Sequence, residues 1–269
     1  MASTGTREYR AVIFDVGGVV ITSPLIAIAA YERERGFPKD WLNVLITGYG
    51  HKGAWQKFER GELDLFSFYE GFGRELSNVE KGRELYSQFC SKRGWAFPQL
   101  PLPSEMQVDG RELFGRMMRG SQFDKIIVNA IKEIRSTKRL RVIAVTNNFA
   151  ASVQDIPQSE MEFLGWTSGA ASTSQQLRDL FDDYIDSSEV GLRKPDPAIY
   201  QLACERNGLQ PMQVVMLDDL GMNLKPAKDL GMTTIQVQIG RSEEAVQQLS
   251  ETLGLDLFER KATVPSSRL

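Results

Sequence analysis

Short apolar runs that end at polar residues recur along the chain, and they predict the strands of a parallel sheet. Parallel strands are buried on both faces, so they read as continuous apolar runs with glycine or polar residues behind them. Five runs fit this description: Ala11–Phe14, Arg141–Val145, a weaker run at Tyr184-Ile185, Val214–Leu217 and Thr233–Val237. They indicate a five-stranded parallel sheet.

Helical patterns separate these runs. Apolar residues three and four apart predict a helix over Ile126–Ile134, and Pro197–Asn207 is typical of a helix that begins at proline and stops before glycine. Ser242–Leu253 has one apolar face and acidic residues in its first turn, which predicts an amphipathic helix on the core. Strands that alternate with helices predict an α/β fold with a doubly wound, Rossmann-like parallel sheet.

The first crossover is far too long for a single helix. Residues 22–120 are helix-like and aromatic, and glycine and proline at Pro24, Gly36–Pro38, Gly48–Gly53 and Gly61 divide them into short helices. An insert directly after the first strand lies above the carboxyl edge of the sheet, where α/β folds bind ligands. We therefore predict an α/β core of residues 1–21 and 121–269 with an all-helical cap of residues 22–120.

Two smaller regions carry predictions of their own. Residues 149–176 are rich in Ser, Ala, Gly and Gln, which favours a surface loop over the alternative of a functional lid. His51 lies in a glycine-rich turn and is expected at the surface, whereas most of the insert's aromatic side chains are expected in its core.

Composition limits the available chemistry. The 269 residues contain 32 Lys plus Arg against 35 Asp plus Glu, a net charge of −3 that gives no footprint for nucleic acid. The longest uncharged stretch, residues 16–31, is too short to span a membrane. One histidine and two cysteines are too few for a structural zinc site with four Cys/His ligands. Any Ser-His-Asp triad would have to use His51, because it is the one histidine of the chain. Catalysis must use carboxylates, hydroxyls, amides and lysine.

Such groups follow the predicted strands. Asp15 ends the first run, Thr146 and Asn147 follow the second, and Asp218-Asp219 follow the fourth. Lys194 precedes Pro195 between the third and fourth runs. Carboxyl ends of parallel strands meet at one edge, so these groups should converge there. Carboxylates suit Mg²⁺, and a cation, a hydroxyl and a carboxylate nucleophile suit phosphoryl transfer.

Four segments in this order resemble the motifs of the haloacid dehalogenase-like (HAD) hydrolase superfamily: residues 14–19, Thr146-Asn147, Lys194-Pro195 and residues 217–219. Residues 190–238 are similar to the N-terminal phosphatase domain of soluble epoxide hydrolases. The Asp-Val-Gly-Gly-Val run at residues 15–19 looks more like the hydrolase-like domain of acyl-CoA dehydrogenase family member 10. The resemblance implies a phosphatase that takes the phosphoryl group of a small phosphorylated substrate onto an aspartate of the enzyme, forming an aspartyl-phosphate.

The resemblance also implies residue roles. Asp15 would be the nucleophile and a Mg²⁺ ligand, together with the main-chain carbonyl of Gly17 and the side chain of Asp219, while Asp218 would hold a metal-bound water. The remaining roles concern the phosphoryl group: Thr146 and Asn147 would bind it, Lys194 would neutralise it, and Asn223 would support the last motif.

One departure leaves alternatives open. Family phosphatases usually carry a second Asp, the general acid, where this chain has Gly17. The chain is therefore expected to be either a slow phosphatase or one specialised for good leaving groups such as acyl or anomeric phosphates, unless a cap residue or a water supplies the proton. By analogy with the two relatives, the substrate is expected to be a small or lipid- or acyl-linked phosphate. A metal-independent haloacid dehalogenase and a catalytically degenerate, ligand-binding or assembly protein are the alternatives. Oligomeric state cannot be read from the sequence.

The C-terminal tripeptide Ser267-Arg268-Leu269 is similar to the peroxisomal Ser-Lys-Leu signal. It predicts a peroxisomal location, and the alternative is a cytoplasmic one.

Overall fold

Five parallel strands form the sheet at the centre of the protein. The computed structural model describes residues 8–97, 106–149, 156–166 and 175–258, and within them the strand order is β3-β2-β1-β4-β5. The strands are β1 Ala11–Phe14, β2 Arg141–Thr146, β3 Asp183–Asp186, β4 Val214–Asp218 and β5 Thr233–Gln236. Each of the five predicted strands is found to within one residue at either end, so the doubly wound parallel sheet is confirmed.

Helices cover both faces of this sheet, because alternate strand residues point to opposite sides. Val12 and Phe14 pack with helices α7 Lys125–Ser136 and α13 Ser242–Leu253 on one face. Ala11 and Ile13 pack with α11 Pro197–Arg206 and α12 Gly221–Asp229 on the other. The sequence patterns for α7, α11 and α13 predict these helices correctly.

In the described part of the chain between β1 and α7, six α-helices form a separate hydrophobic cluster, which we call the helical insert. They are α1 Pro24–Arg35, α2 Trp41–Gly48, α3 Ala54–Glu59, α4 Leu65–Leu76, α5 Val79–Arg93 and α6 Gly110–Arg119. Trp41, Phe68 and Phe72 are buried in this cluster as expected, whereas Phe66 is 47% exposed. The boundaries of core and cap at residues 21/22 and 120/121 remain a prediction.

The prediction of a surface loop over residues 149–176 is wrong for part of that segment. Helix α8 spans Gln158–Leu164, and α9 begins at Gln175 and ends at Arg178. Leu164 is fully buried, and the Glu160 carboxylate accepts hydrogen bonds from Tyr69 and Arg111 of the insert. Tertiary contacts with the insert thus stabilise a helix that the polar composition does not indicate.

Three other predictions concern His51, a membrane span and the C-terminal tripeptide. His51 is exposed, in agreement with the sequence. Among the residues that the structure describes, no helix has the length and apolar character needed to cross a membrane. The C-terminal tripeptide Ser267-Arg268-Leu269 lies outside the described residues.

Candidate active site

The sheet brings the predicted polar residues to its carboxyl edge. Asp15 directly follows β1, Thr146 is the last residue of β2, and Asp218 is the last residue of β4. The Asp15 N–H donates to the carbonyl of Leu217 at 2.9 Å, which extends the β1–β4 ladder to Asp15. Thr146 is buried, and it pairs in register with Asp186 of β3.

Three carboxylates converge at this edge. Asp15, Asp218 and Asp219 each offer an oxygen within 4.8 Å of the other two, and Asp218 is fully buried. Gly18 makes this approach possible, because a Cβ atom there would lie 2.2 Å from Asp219 Oδ2, and its φ of +90° is one that glycine tolerates best. Glycine is therefore required on steric grounds at position 18. At Gly17 there is room for a side chain, since an added Cβ meets only Pro24 Cδ, at 3.8 Å.

Lys194 is the cation of this cluster. Its Nζ lies 2.7 Å from Asp15 Oδ1 and 2.7 Å from Asp218 Oδ2, and only 1% of its side chain is exposed. An exposed loop lysine is thus ruled out at this position. Asn147 fixes the lysine backbone from both sides, since its Oδ1 accepts from the Lys194 N–H at 2.7 Å and its Nδ2 donates to the Lys194 carbonyl at 2.9 Å.

Asp218 has further donors of its own. The Asn223 amide donates to both carboxylate oxygens at 3.0 and 3.2 Å, and the Leu220 N–H donates to Oδ1 at 2.9 Å. Tyr200 in turn donates its hydroxyl proton to the Asn223 carbonyl at 2.7 Å. With Lys194 these groups occupy both oxygens of Asp218. By contrast, among the described residues Oδ2 of Asp15 accepts no hydrogen bond, while its Oδ1 accepts from Lys194 and from the Val16 N–H.

Burial and mutual repulsion dominate the electrostatics. Burial, followed by the Asp218 charge, raises the pKa of Asp15 well above its ordinary value and raises the pKa of Asp219 to about 7. Burial alone would lower the pKa of Lys194, but the charges of Asp15 and Asp218 outweigh it and raise that pKa. The site therefore holds a cationic lysine among carboxylates that favour a further cation.

Two polar contacts near this edge, both made by Glu59, are absent from the sequence predictions. Arg193 binds Glu59 of α3 through its guanidinium, and the hydroxyl of Ser187 donates to the Glu59 carbonyl. Glu59 comes from the helical insert, more than a hundred positions before its two partners. In the sequence, Arg193 could be noticed only because it precedes the predicted site residue Lys194. No sequence motif points to Glu59.

Comparisons with known proteins agree with this geometry. A family model described as haloacid dehalogenase-like hydrolase matches residues 9–231. The chain is 35% identical over 265 residues to acyl-CoA dehydrogenase family member 10 of Mus musculus, covering 98% of this chain and 21% of that protein. It is 28% identical over 259 residues to bifunctional epoxide hydrolase 2 of Sus scrofa, covering 96% of this chain and 41% of that protein. The chain thus spans less than half the length of either relative.

A solved structure has the same fold. It is a HAD family enzyme of Bacteroides thetaiotaomicron in complex with magnesium and inorganic phosphate, with a TM-score of 0.51 and 16% identity over 87% of this chain and 96% of that one. The ordered motifs, the parallel sheet and the match over residues 9–231 lead to one conclusion: the chain belongs to the haloacid dehalogenase-like hydrolase family and is a hydrolase.

Proposed function

We propose that this protein is a Mg²⁺-dependent phosphatase that works through an aspartyl-phosphate intermediate. The observation that carries the proposal is the convergence of Asp15, Asp218 and Asp219 around the buried ammonium group of Lys194. A carboxylate nucleophile with a free oxygen, a fixed cation and a set of hard oxygen ligands is what transfer of a phosphoryl group requires.

The residues present fit Mg²⁺. Their donors are carboxylate oxygens, which Mg²⁺ prefers, and three carboxylates beside one ammonium leave an excess of negative charge. Asp15, Asp219 and the carbonyl of Gly17 would hold the ion directly. Asp218 would act through water, because its two oxygens already accept from Lys194, Asn223 and the Leu220 N–H. Bound Mg²⁺ supplies charge neutralisation at the phosphoryl oxygens.

The chain's own residues then account for two displacements at phosphorus. Asp15 Oδ2 attacks, so that an Asp15–phosphorus bond forms while the bond to the leaving oxygen breaks. Water then attacks the same phosphorus as the Asp15–phosphorus bond breaks. The protons of the water remain on the released phosphate or pass to solvent, and the Asp15 carboxylate is regenerated. Lys194 keeps its proton throughout and offsets negative charge. The Thr146 hydroxyl and the main-chain N–H of Asn147 bind and orient the phosphoryl oxygens, since the Asn147 side chain holds the Lys194 backbone.

Gly17 narrows the substrate class. The leaving oxygen needs a proton unless it departs as a stable anion, and Gly17 has no side chain to donate one. General acid catalysis contributes about 10²–10⁴-fold in rate, so its loss weighs most on simple alkyl phosphates. We therefore propose acyl-linked phosphates, or other small or lipid-linked phosphates with good leaving groups, as substrates.

The named relatives support this proposal by analogy only. The solved HAD family enzyme is in complex with magnesium and inorganic phosphate, which is a property of that enzyme and a precedent for this chain. Both curated relatives are much longer than this chain, and their full activities do not transfer with the matched part.

The test is release of phosphate from a panel of acyl phosphates, aryl phosphates and phosphometabolites with and without Mg²⁺, run beside Asp15→Asn. We expect turnover that needs Mg²⁺, stops with chelator and is lost in Asp15→Asn. Halide release from haloacids without Mg²⁺ would instead establish the dehalogenase. Binding of orthovanadate with Mg²⁺ but no turnover across the panel would establish the degenerate family member.

A further inference from the structure

Glu59 of the helical insert closes a ring of contacts around the candidate active site. On one side its Oε2 accepts from the Arg193 guanidinium, from Nε at 2.8 Å and from a terminal nitrogen at 2.5 Å. On the other side its main-chain carbonyl accepts from the Ser187 hydroxyl at 2.5 Å. One residue of α3 thus holds two separate segments of the core.

Both segments lead directly to the site. Arg193 is followed in the chain by Lys194, whose backbone is held by Asn147 through two hydrogen bonds. The Ser187 hydroxyl oxygen accepts from the N–H of Asn148, the next residue after Asn147, at 2.9 Å. The ring therefore runs from the Glu59 carboxylate through the lysine segment and the Thr146–Asn148 segment back to the Glu59 carbonyl.

Because the groups of this ring are buried, the ring can form only when the insert is docked on the core. The Glu59 side chain is 6% exposed and Ser187 is fully buried, so neither group can exchange its partner for bulk water without separation of the insert from the core. Gly61 tightens the same junction, because a Cβ atom there would lie 3.0 Å from the carbonyl oxygen of Ser188, at a φ of +71°.

Burial raises the pKa of Glu59, and the charge of Arg193 offsets only part of that cost, so the geometry of the pair is what matters here. Arg193 offers a planar fork of donors that a lysine cannot reproduce, so the guanidinium position defines the direction of the loop that continues into Lys194. No contact joins Glu59 to Asp15, Asp218 or Asp219 among the described residues. Glu59 can therefore affect the chemistry through its contacts with Arg193 and Ser187 and through the influence of its charge on nearby Lys194.

We propose that Glu59 is a positioning residue for phosphoryl transfer, tying the helical insert to the segments that carry Lys194 and Asn147 so that the site is complete only when the insert is docked. This inference rests on the proposed function. Small errors in the position of a catalytic group reduce rate by as much as about 10²-fold, although no bond to the substrate is lost.

The first experiment compares Glu59→Gln with Glu62→Gln. Glu62, like Glu59, forms an ion pair with an arginine. Its partner Arg60 lies within the insert and not in the core, so Glu62→Gln serves as the control. With acetyl phosphate and Mg²⁺ we expect kcat of Glu59→Gln to fall about 10²-fold while KM changes less than about threefold. Glu62→Gln should keep the kcat of the unmodified protein. An unchanged kcat in folded Glu59→Gln would overturn the proposal.

A double variant separates positioning from stability. Glu59→Gln with Arg193→Met removes both charges, so the melting temperature lost in the single variants should largely return. The kcat should stay low, because the neutral pair no longer directs the Lys194 loop. Recovery of kcat together with the melting temperature would show that the pair is merely structural and would overturn the proposal.

Hydrogen exchange tests the ring without turnover. Relative to peptides from β5, Glu59→Gln should accelerate exchange in peptides covering residues 54–61, 146–149 and 187–194, and Glu62→Gln should not. If the unmodified protein hydrolyses no phosphate in the panel, the proposed function fails while this measurement still decides the coupling. Equal exchange in the two variants would refute the coupling even if the protein is an active phosphatase.

Discussion

Lys194 and Asp218 form an ion pair of 2.7 Å in which the two side chains are 1% and 0% exposed. Isolated charges are costly to bury, so each of these groups depends on its partners. Asp15 shares the same ammonium group, and Asp219 completes a cluster in which three carboxylates face one lysine. The cluster is therefore short of positive charge, which makes its stability sensitive to any cation that binds.

Replacement of this lysine should expose that dependence. Lys194→Met leaves buried carboxylates without their cation, so we expect the free energy of unfolding in chelator to fall by about 3–5 kcal/mol. Saturating Mg²⁺ should recover part of the loss. Urea unfolding measures both values, and Lys225→Met, which removes an exposed pair with Asp229, should leave stability nearly unchanged. Equal losses with and without Mg²⁺ would contradict the proposed metal site.

Protons should compete with Mg²⁺ near neutral pH. Burial and the Asp218 charge raise the pKa of Asp219 to about 7, so below that pH a proton must leave before the oxygen can bind a cation. Affinity for Mg²⁺ should therefore strengthen as pH rises from about 6 to about 8, by up to about tenfold per pH unit. Calorimetric titration measures it, and Asp219→Asn should bind more weakly with a flatter pH profile. An affinity independent of pH in the unmodified protein would contradict this assignment.

Local patterns in the sequence were sufficient for the core of the fold. A buried parallel strand leaves a continuous apolar run, and its last residue marks the sheet edge, so Asp15, Thr146 and Asp218 could be placed together without coordinates. The support of Asp218 by Asn223 was implied by the resemblance to the family motifs rather than by local patterns, and the Asn223 amide lies 3.0 Å from that carboxylate.

Contacts between the insert and the core could not be predicted in this way. Glu59 meets Arg193 and Ser187 only because two separately folded regions pack together, and no spacing within either region encodes that meeting. Helix α8 was missed for the same reason, since its buried Glu160 is held by Tyr69 and Arg111 from the insert. Amino-acid composition indicates the local preference for helix, strand or loop. Helix α8 and the contacts of Glu59 depend instead on partners that are distant in sequence.

A buried carboxylate in the insert gives a pH-dependent stability. Glu32 is 2% exposed, and it accepts from the N–H groups of Asp40 and Leu42 at 3.0 and 2.7 Å. Burial outweighs these bonds and raises its pKa from 4.5 to about 7. The folded protein therefore holds this proton at pH values where the unfolded chain has lost it, so Glu32 destabilises the protein progressively as pH rises through that window.

Glu32→Gln removes this titration while keeping one acceptor oxygen. Stability of the unmodified protein relative to Glu32→Gln should fall as pH rises from about 4.5 to about 7 and should be level above it. Thermal unfolding at several pH values measures the difference. Glu70→Gln, at an exposed position of α4, should show no such trend, and a difference that grows with pH would exclude the proposed cause.

The space beside Gly17 allows a gain of function. An added Cβ there meets only Pro24 Cδ at 3.8 Å, and Gly17 does not have a positive φ, so Gly17→Asp should fold. Its carboxyl group would supply the proton donor that this chain lacks. Rates with alkyl phosphates should rise by about 10²–10⁴-fold, while rates with acetyl phosphate should rise much less, because that leaving group needs little help from an acid.

Two further variants test whether the effect of Gly17→Asp comes from its acidic proton, from its added volume or from its position. Gly17→Asn has nearly the same size without an acidic proton, so it should leave the alkyl phosphate rates low. Gly18→Asp should lose activity towards every phosphate, since its Cβ would lie 2.2 Å from Asp219 Oδ2 in a backbone region that favours glycine. If Gly17→Asp and Gly17→Asn accelerate alkyl phosphate hydrolysis equally, the missing proton donor is not what restricts this active site.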